Sequence, residues 1–210
     1  MTEEDKPEDI ERFSSIERNM RAQYAMRAAL GHFLAEFTAF ESLYLTSALR
    51  ALSGDAIVID HLTELMDLYS RLKLLKYLGV AQKLPRPLMD DIKAVSNAAN
   101  DLRDWRNEIA HGAVVISVPS LDDLTSDGVA IVRRPRSKIG DAAGTTDPKE
   151  LLALQREQWG HSAETIRGLI PSAVDLQYAG MQLAEKLTRY KRGEDWEKVS
   201  VKKLTVPKRP

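Results

Sequence analysis

The chain of 210 residues has no cysteine, few aromatic residues and no long apolar run. The absence of cysteine excludes disulfides, thiolate metal ligands and cysteine nucleophiles. No apolar segment approaches the roughly 20 residues that a membrane-spanning helix requires, and the acidic start of the chain does not resemble a signal peptide. We therefore predict a soluble cytoplasmic protein with one sizeable core and no membrane partner.

Neither sign of charge dominates, because 30 basic residues stand against 31 acidic ones. The balance gives no overall attraction for nucleic acid, but the charges are unevenly distributed. We interpret residues 1–15 as a flexible acidic N-terminus and residues 193–210 as a basic C-terminal tail. A further basic cluster contains Arg133, Arg134 and Arg136. Such runs are either solvated loops and tails, which is the simpler interpretation, or phosphate-contacting surfaces.

Apolar residues recur at helical spacing in the first half of the chain. A first helix is predicted from about Ile16 to Leu52, with Gly54 ending it. A second is predicted to begin at Asp60 as its N-cap and to end before Gly79. Its buried face is predicted to contain Leu62, Leu65, Met66, Leu68, Tyr69, Leu72, Leu75 and Leu78.

The third predicted helix runs from about Leu88 to His111 and directs one apolar face to the core. After Gly112 the pattern changes to β-rich runs separated by turn-forming residues. This change predicts a small β-hairpin at about residues 113–134.

The fourth predicted helix begins at Asp147 and Pro148, a capping residue followed by proline at the first helical position, and reaches about Tyr190. Pro171 should kink or divide it. Four helices with short connections predict an all-α fold, an up-and-down four-helix bundle with the hairpin inserted between helices three and four. Residues 16–192 would form a single domain.

The segment from residue 106 to residue 111, with the sequence RNEIAH, ends the third predicted helix and combines groups suited to phosphate chemistry. Arg106 offers a planar set of donors for phosphate oxygens, and His111 is able to exchange a proton near neutral pH. The same arginine–histidine spacing occurs twice elsewhere, inside predicted helices, so spacing alone identifies no site. This copy differs because Gly112 follows it as a helix stop.

Cleavage of RNA without a metal requires removal of the 2′-hydroxyl proton, stabilisation of the charged phosphorane and protonation of the leaving 5′-oxygen. Arg106 is suited to stabilise the phosphorane and His111 to move either proton. One chain offers one such histidine, so a homodimer that brings two copies together would supply both acid and base. The surplus length of the first and last helices also predicts a homodimer.

Helix geometry adds three candidates to this pair. Residues four apart stack on a helix, so Arg103, Asn107 and His111 are predicted to form one row. Asn107 would then orient His111 or contact substrate. Glu41, on or near the apolar face of the first helix, is either paired with Arg103 or Arg106 or exposed at the edge of that face.

The remaining acids and histidines predict no metal site. The four histidines lack the spacing of a ligand pair, and no cofactor motif is present, so we predict neither a metal nor a cofactor. His161 is predicted to be a surface residue with a structural role. Asp104 and Glu108 would pair with Arg103 or His111, or be plain surface acids.

The string from residue 106 to residue 111 resembles the signature of HEPN domains, in which an arginine, a polar residue and a histidine occur at this spacing in an all-helical bundle. Residues 30–41, LGHFLAEFTAFE, look like the opening helix of HEPN-like proteins, where a glutamate follows an apolar stripe. Residues 69–75, YSRLKLL, are similar to their second helix. The resemblance covers about residues 20–112.

This resemblance implies a homodimer with a composite cleft and, in active members, a metal-independent endoribonuclease that serves as a toxin or in antiviral defence. RNA would be the substrate, and a cognate antitoxin or defence protein would be a partner. By position, Arg106, Asn107 and His111 carry over as the site. The chain departs from many toxin members, which place a tyrosine two positions after the histidine, whereas Gly112 and Ala113 follow here.

A second hypothesis belongs to a different class of function. Many HEPN-like proteins are non-catalytic, and basic residues near a helix C-terminus commonly cap its last carbonyls. Arg106 and Asn107 would then be structural, and the chain would be a helical interaction module or a nucleotide-binding module with the hairpin as a lid.

Overall fold

The computed structural model describes the backbone of residues 7–117, 129–133 and 161–208. Most of these residues lie in helices, so the mainly helical fold predicted from the sequence is confirmed. None of the helices in these ranges is both long enough and apolar enough to cross a membrane.

The elements follow one another as α1 (Pro7–Ala39), a π-helical segment (Phe40–Leu45), α2 (Thr46–Ser53), α3 (Ala56–Leu65), α4 (Leu68–Ala81), α5 (Arg86–Ala110), β1 (Ala113–Ser117), β2 (Val129–Arg133), β3 (His161–Ser162) and α6 (Ala163–Arg192). The chain divides into two compact units. We call residues 33–106 with 168–210 the core unit, and residues 1–32 with 107–167 the sheet unit. The single domain predicted over residues 16–192 stays a prediction.

The first helical stretch begins at Pro7, earlier than the predicted start near Ile16, because proline and the acids that follow it favour a helix N-terminus. It ends where predicted, at Gly54 in the left-handed conformation with φ 74°. The sequence did not reveal the π-helical segment inside it. Residues five apart stack in a π-helix, and Phe40 and Leu45 are both buried.

The second predicted helix is wrong in its start and its continuity, because the structure contains two helices there. Asp55 caps α3 by accepting a hydrogen bond from the Val58 N–H at 3.0 Å. Asp67 caps α4 in the same way, and Met66 between the two helices has an extended backbone. Asp60 lies inside α3 and bonds Arg50 at 2.6 Å instead.

The buried face predicted for this region is also partly wrong. Leu62 and Leu65 are 41% and 87% exposed, because Ile59 and Thr63 occupy the inward face of α3. Gly79 does not end a helix but lies within α4, where an added Cβ would be 2.7 Å from the Met89 sulfur. The glycine therefore permits close approach of α4 and α5.

The third predicted helix agrees with α5. Its core-facing residues are buried as the spacing predicts, except Met89, which is half-buried. The predicted start of the fourth helix lies outside the described residues. Its described part, α6, continues through Pro171, so the predicted division of the helix at this proline is wrong. Within the core unit, Lys186 of α6 donates to Asp91 of α5 at 2.7 Å.

The C-terminal segment packs along the core unit through specific contacts. The Trp105 indole N–H of α5 donates to the Pro207 carbonyl at 3.0 Å, and Val199 is buried. Lys202 forms an ion pair with Asp175 of α6 at 2.5 Å. These contacts hold the segment against the helix surface immediately before Arg106.

In the sheet unit, β1, β2 and β3 form an antiparallel sheet in the order β1-β2-β3. Ala113 of β1 is opposite Arg133 of β2, and Val132 of β2 is opposite His161 of β3. The sheet therefore begins directly after the turn that carries His111.

Candidate functional site

Glu41 lies in the π-helical segment, half-buried in the core unit. Burial raises the pKa of its carboxyl group above the ordinary value, while the charges of Arg106 and Arg71 act in the opposite direction. The structure therefore places both arginines within electrostatic reach of Glu41. Glu41 is neither fully buried nor fully exposed, so its pairing with Arg103 or Arg106 stays a prediction.

Arg71 of α4 connects the π-helical segment to the break between α3 and α4. Its Nε donates to the Met66 carbonyl at 2.9 Å, and a terminal nitrogen donates to the Glu41 carbonyl at 3.3 Å. These bonds fix the backbone that carries Glu41. Arg71 therefore supports the site through two backbone carbonyls as well as by its charge.

Arg103 lies one helical turn before Arg106 and is also half-buried. Its guanidinium bonds Asp104 at 3.0 Å and lies 5.3 Å from the centre of the Tyr69 ring. The pKa of Asp67 is lowered, first by hydrogen bonds from Ser70 and then by the charges of Arg103 and Arg71.

We call Arg71, Arg103 and Arg106 the arginine cluster. Residues three apart are neighbours on a helix surface, so Arg103 and Arg106 occupy adjacent positions on α5. Planar guanidinium groups bind phosphate oxygens through paired hydrogen bonds. Asp104 bonds Arg103, and the charges of the arginines act on Glu41 and Asp67, so these acids balance part of the charge of the cluster.

The end of α5 is described within the sheet unit. His111 is the first residue after the helix, and its side chain is exposed. Its backbone N–H donates to the Asn107 carbonyl at 3.2 Å, and the Gly112 N–H donates to the Ile109 carbonyl at 3.1 Å. Asn107 is half-buried. The imidazole is thus accessible to solvent while its backbone continues the hydrogen bonding of the last helical turn.

Among the described residues, Glu108 bonds His161 and not the predicted partners Arg103 or His111. Its Oε1 lies 3.0 Å from the His161 Nε2, and both side chains are almost fully buried. This position corrects the prediction that His161 is a surface residue. The interval of 53 residues between the partners left no signal in the sequence.

The basic cluster is described only at its first residue. Arg133 is the last residue of β2, and its backbone is opposite Ala113. Arg134 and Arg136 lie outside the described residues. Within the described ranges, no group of three or more acids and histidines is arranged to hold a metal ion.

Two residues of the core-unit site were not predicted as site residues. Arg71 and Tyr69 belong to the YSRLKLL segment, but their roles depend on contacts with helices distant in sequence. The sequence could indicate only that the two residues lie close together on one helix. No protein family model, curated protein or solved structure matches this chain.

Proposed function

We propose that the chain is a HEPN-like, metal-independent endoribonuclease of the toxin or antiviral-defence type, acting as a homodimer in the cytoplasm. The proposal includes the up-and-down four-helix bundle and inserted hairpin of the sequence prediction. A cognate antitoxin or defence protein would be its partner. Arg106 and His111 are its catalytic residues.

The observation that carries the proposal is the environment of Arg106. This arginine is half-buried, its charge acts on Glu41, and Arg71 donates a hydrogen bond to the Glu41 carbonyl. A half-buried guanidinium loses less freedom when it binds a phosphate than a mobile surface arginine does. Such preorganised charge is the largest contribution available to a metal-free site.

His111 supports the proposal through its accessibility. A histidine that moves protons must reach the substrate, and this side chain is exposed at a helix end. In the proposed reaction a base removes the 2′-hydroxyl proton and the 2′-oxygen forms a bond to phosphorus. The bond from phosphorus to the 5′-oxygen breaks, and an acid protonates that oxygen. The products are a 2′,3′-cyclic phosphate and a 5′-hydroxyl end.

The two proton transfers explain why two chains are proposed. One histidine in its neutral form accepts the first proton, while another in its charged form donates the second. A two-fold dimer that joins two His111 side chains in one cleft supplies both forms. Asn107 would orient His111, Arg103 would contact the substrate beside Arg106, and Arg133 is a further candidate for phosphate contact, together with Arg134 and Arg136.

The test is cleavage of end-labelled RNA in the presence of EDTA, with analysis of the product ends. We expect Arg106→Ala and His111→Ala each to lower the rate about 100-fold or more, because each removes a group that acts in the transition state. Arg86→Ala, on the exposed start of the same helix, and His61→Ala, on α3, are the matched controls and should cleave normally. Wild-type protein that is inert toward RNA would refute the proposal.

The second candidate function is a non-catalytic binding module, and the acids of the arginine cluster favour it. Glu41, Asp67 and Asp104 place three carboxyl groups around the three arginines. A cluster balanced in this way is also suited to a structural role. This alternative predicts a folded protein that binds a nucleotide or protein partner and leaves RNA intact.

A further inference from the structure

The Glu108–His161 pair is unusual because it buries two ionisable side chains in the sheet unit. The side chains are 5% and 3% exposed, and the interacting atoms are 3.0 Å apart. Removing charged groups from water is unfavourable unless they are paired with good geometry. An apolar pair of similar size would fill the same space without that requirement, so the polar pair specifies a particular arrangement.

The position of the pair in the chain shows which arrangement it specifies. Glu108 lies in the last turn of α5, three residues before His111. The chain then turns at Gly112 and enters β1, which pairs with β2 along its whole length from Ala113 to Ser117. β2 pairs in turn with β3, which contains His161.

These contacts form a closed circuit within the sheet unit. Glu108 precedes the turn of His111 and Gly112 in the chain, and Ala113 follows it. Glu108 is bonded to His161, while Ala113 is paired with Arg133, and both partners belong to the same sheet. Both ends of the turn are therefore fixed to one three-stranded sheet.

We propose that Glu108 and His161 form a clamp that positions His111 for proton transfer. Both are positioning residues, because side chains so deeply buried do not reach a substrate. The clamp reduces the freedom of the turn, so the imidazole of His111 is held at a defined distance from the reacting atoms. The catalytic part of this inference rests on the proposed function, whereas the mechanical part does not.

The test uses Glu108→Leu/His161→Leu, which replaces the hydrogen-bonded pair by apolar side chains of similar size. Such replacements commonly preserve stability, so a change in His111 would not simply report unfolding. Hydrogen–deuterium exchange of the His111 and Gly112 amides reports the clamp directly. We expect exchange about tenfold faster in the double variant, with the amides of residues 88–105 unchanged.

Steady-state kinetics provide the second measurement. The double variant should lower kcat about tenfold or more and leave KM unchanged, as expected for a misplaced proton-transfer group. The single variant Glu108→Gln keeps the shape of the side chain and a hydrogen bond to His161. Its amide exchange and its kcat should therefore equal those of the wild type. Glu164→Leu, an exposed acid at the start of α6, is the control. If the leucine pair does not fold, a methionine pair is measured in the same way, because methionine adapts to irregular spaces.

The outcomes separate the clamp from the proposed function. A folded double variant with wild-type amide protection overturns the clamp, whatever its activity. Wild-type kcat in the double variant refutes its positioning role. If the wild-type protein does not cleave RNA, the ribonuclease proposal fails, and amide exchange alone still decides whether the clamp exists.

Discussion

At Glu41, burial and neighbouring charge act in opposite directions on one carboxyl group. Two arginines favour its ionised form, but the loss of solvent outweighs them, and the pKa is raised. The sequence could indicate a glutamate close to the apolar face of the first helix and a possible arginine partner. It could not indicate the balance of these effects, which depends on how deeply the π-helical segment places the side chain.

The raised pKa gives Glu41 a predictable effect on stability. The folded state holds the proton more strongly than the unfolded state, so ionised Glu41 opposes folding at neutral pH. This penalty is relieved as the pH falls through the raised pKa toward the ordinary pKa of a glutamate. We expect Glu41→Gln to raise Tm at pH 7, with the advantage over wild type disappearing near pH 4.

Thermal unfolding followed by circular dichroism across this pH range measures the effect. Glu197→Gln, an exposed acid of the core unit, is the control and should leave Tm nearly unchanged at every pH. A lower Tm for Glu41→Gln at pH 7 would show that the attraction of Arg106 and Arg71 outweighs burial. Ribonuclease activity should fall in the same variant, because Arg106 loses the negative charge that acts on it.

Among the elements, α5 was the most predictable and α3 the least. The apolar residues of α5 keep a helical period over its whole length, and tertiary packing follows that period. Leu62 and Leu65 of α3 suggested one buried helix that continues to Gly79. Instead, the helix ends before Met66, whose backbone is extended, and Asp67 caps the start of a new helix, α4. The hydrophobicity of its residues does not by itself determine which side of a short helix faces the core.

The close packing of α6 against the π-helical segment can be tested with a pair of glycine substitutions. A Cβ at Gly180 would lie 3.0 Å from Phe40 ring atoms, and Phe40 is fully buried and unable to move aside. Gly180→Ala should therefore destabilise the protein by about 1–3 kcal/mol. Gly168→Ala, in the same helix with open space around it, should stabilise by up to about 1 kcal/mol.

Urea unfolding at equilibrium measures both variants. The comparison isolates packing, because both substitutions bring the same gain in helix propensity. If Gly180→Ala were as stable as Gly168→Ala, the tight contact between α6 and the π-helical segment would be contradicted.

In the whole molecule, one chain contains a single copy of the Arg106–His111 motif, and the proposed reaction needs two histidines. A homodimer is therefore part of the proposal. The sequence indicated a dimer from the length of the outer helices and from the single histidine of the motif. In the sheet unit, α1 exposes Ile16, Met20 and Tyr24 at intervals of four residues, an apolar stripe of the kind that interfaces cover. The stripe is the described surface on which we would place the interface of the proposed homodimer.

The long-range contacts explain why much of the candidate site could not be predicted. Arg106, Asn107 and His111 are adjacent in sequence, so the motif was visible. The contact of Arg71 with the Glu41 carbonyl spans 30 residues and that of Glu108 with His161 spans 53. Such pairs are set by the packing of whole elements, and a single sequence contains no signal for them.

The activity of mixed dimers tests the proposed composite active site most directly. Wild-type protein and His111→Ala protein are unfolded together in urea at equal concentrations and refolded, so that subunits combine at random. If each cleft needs His111 from both chains, only the wild-type pairs cleave RNA, and about a quarter of the activity of an all-wild-type sample remains. If about half remains, each chain acts with its own histidine, and the composite active site is contradicted.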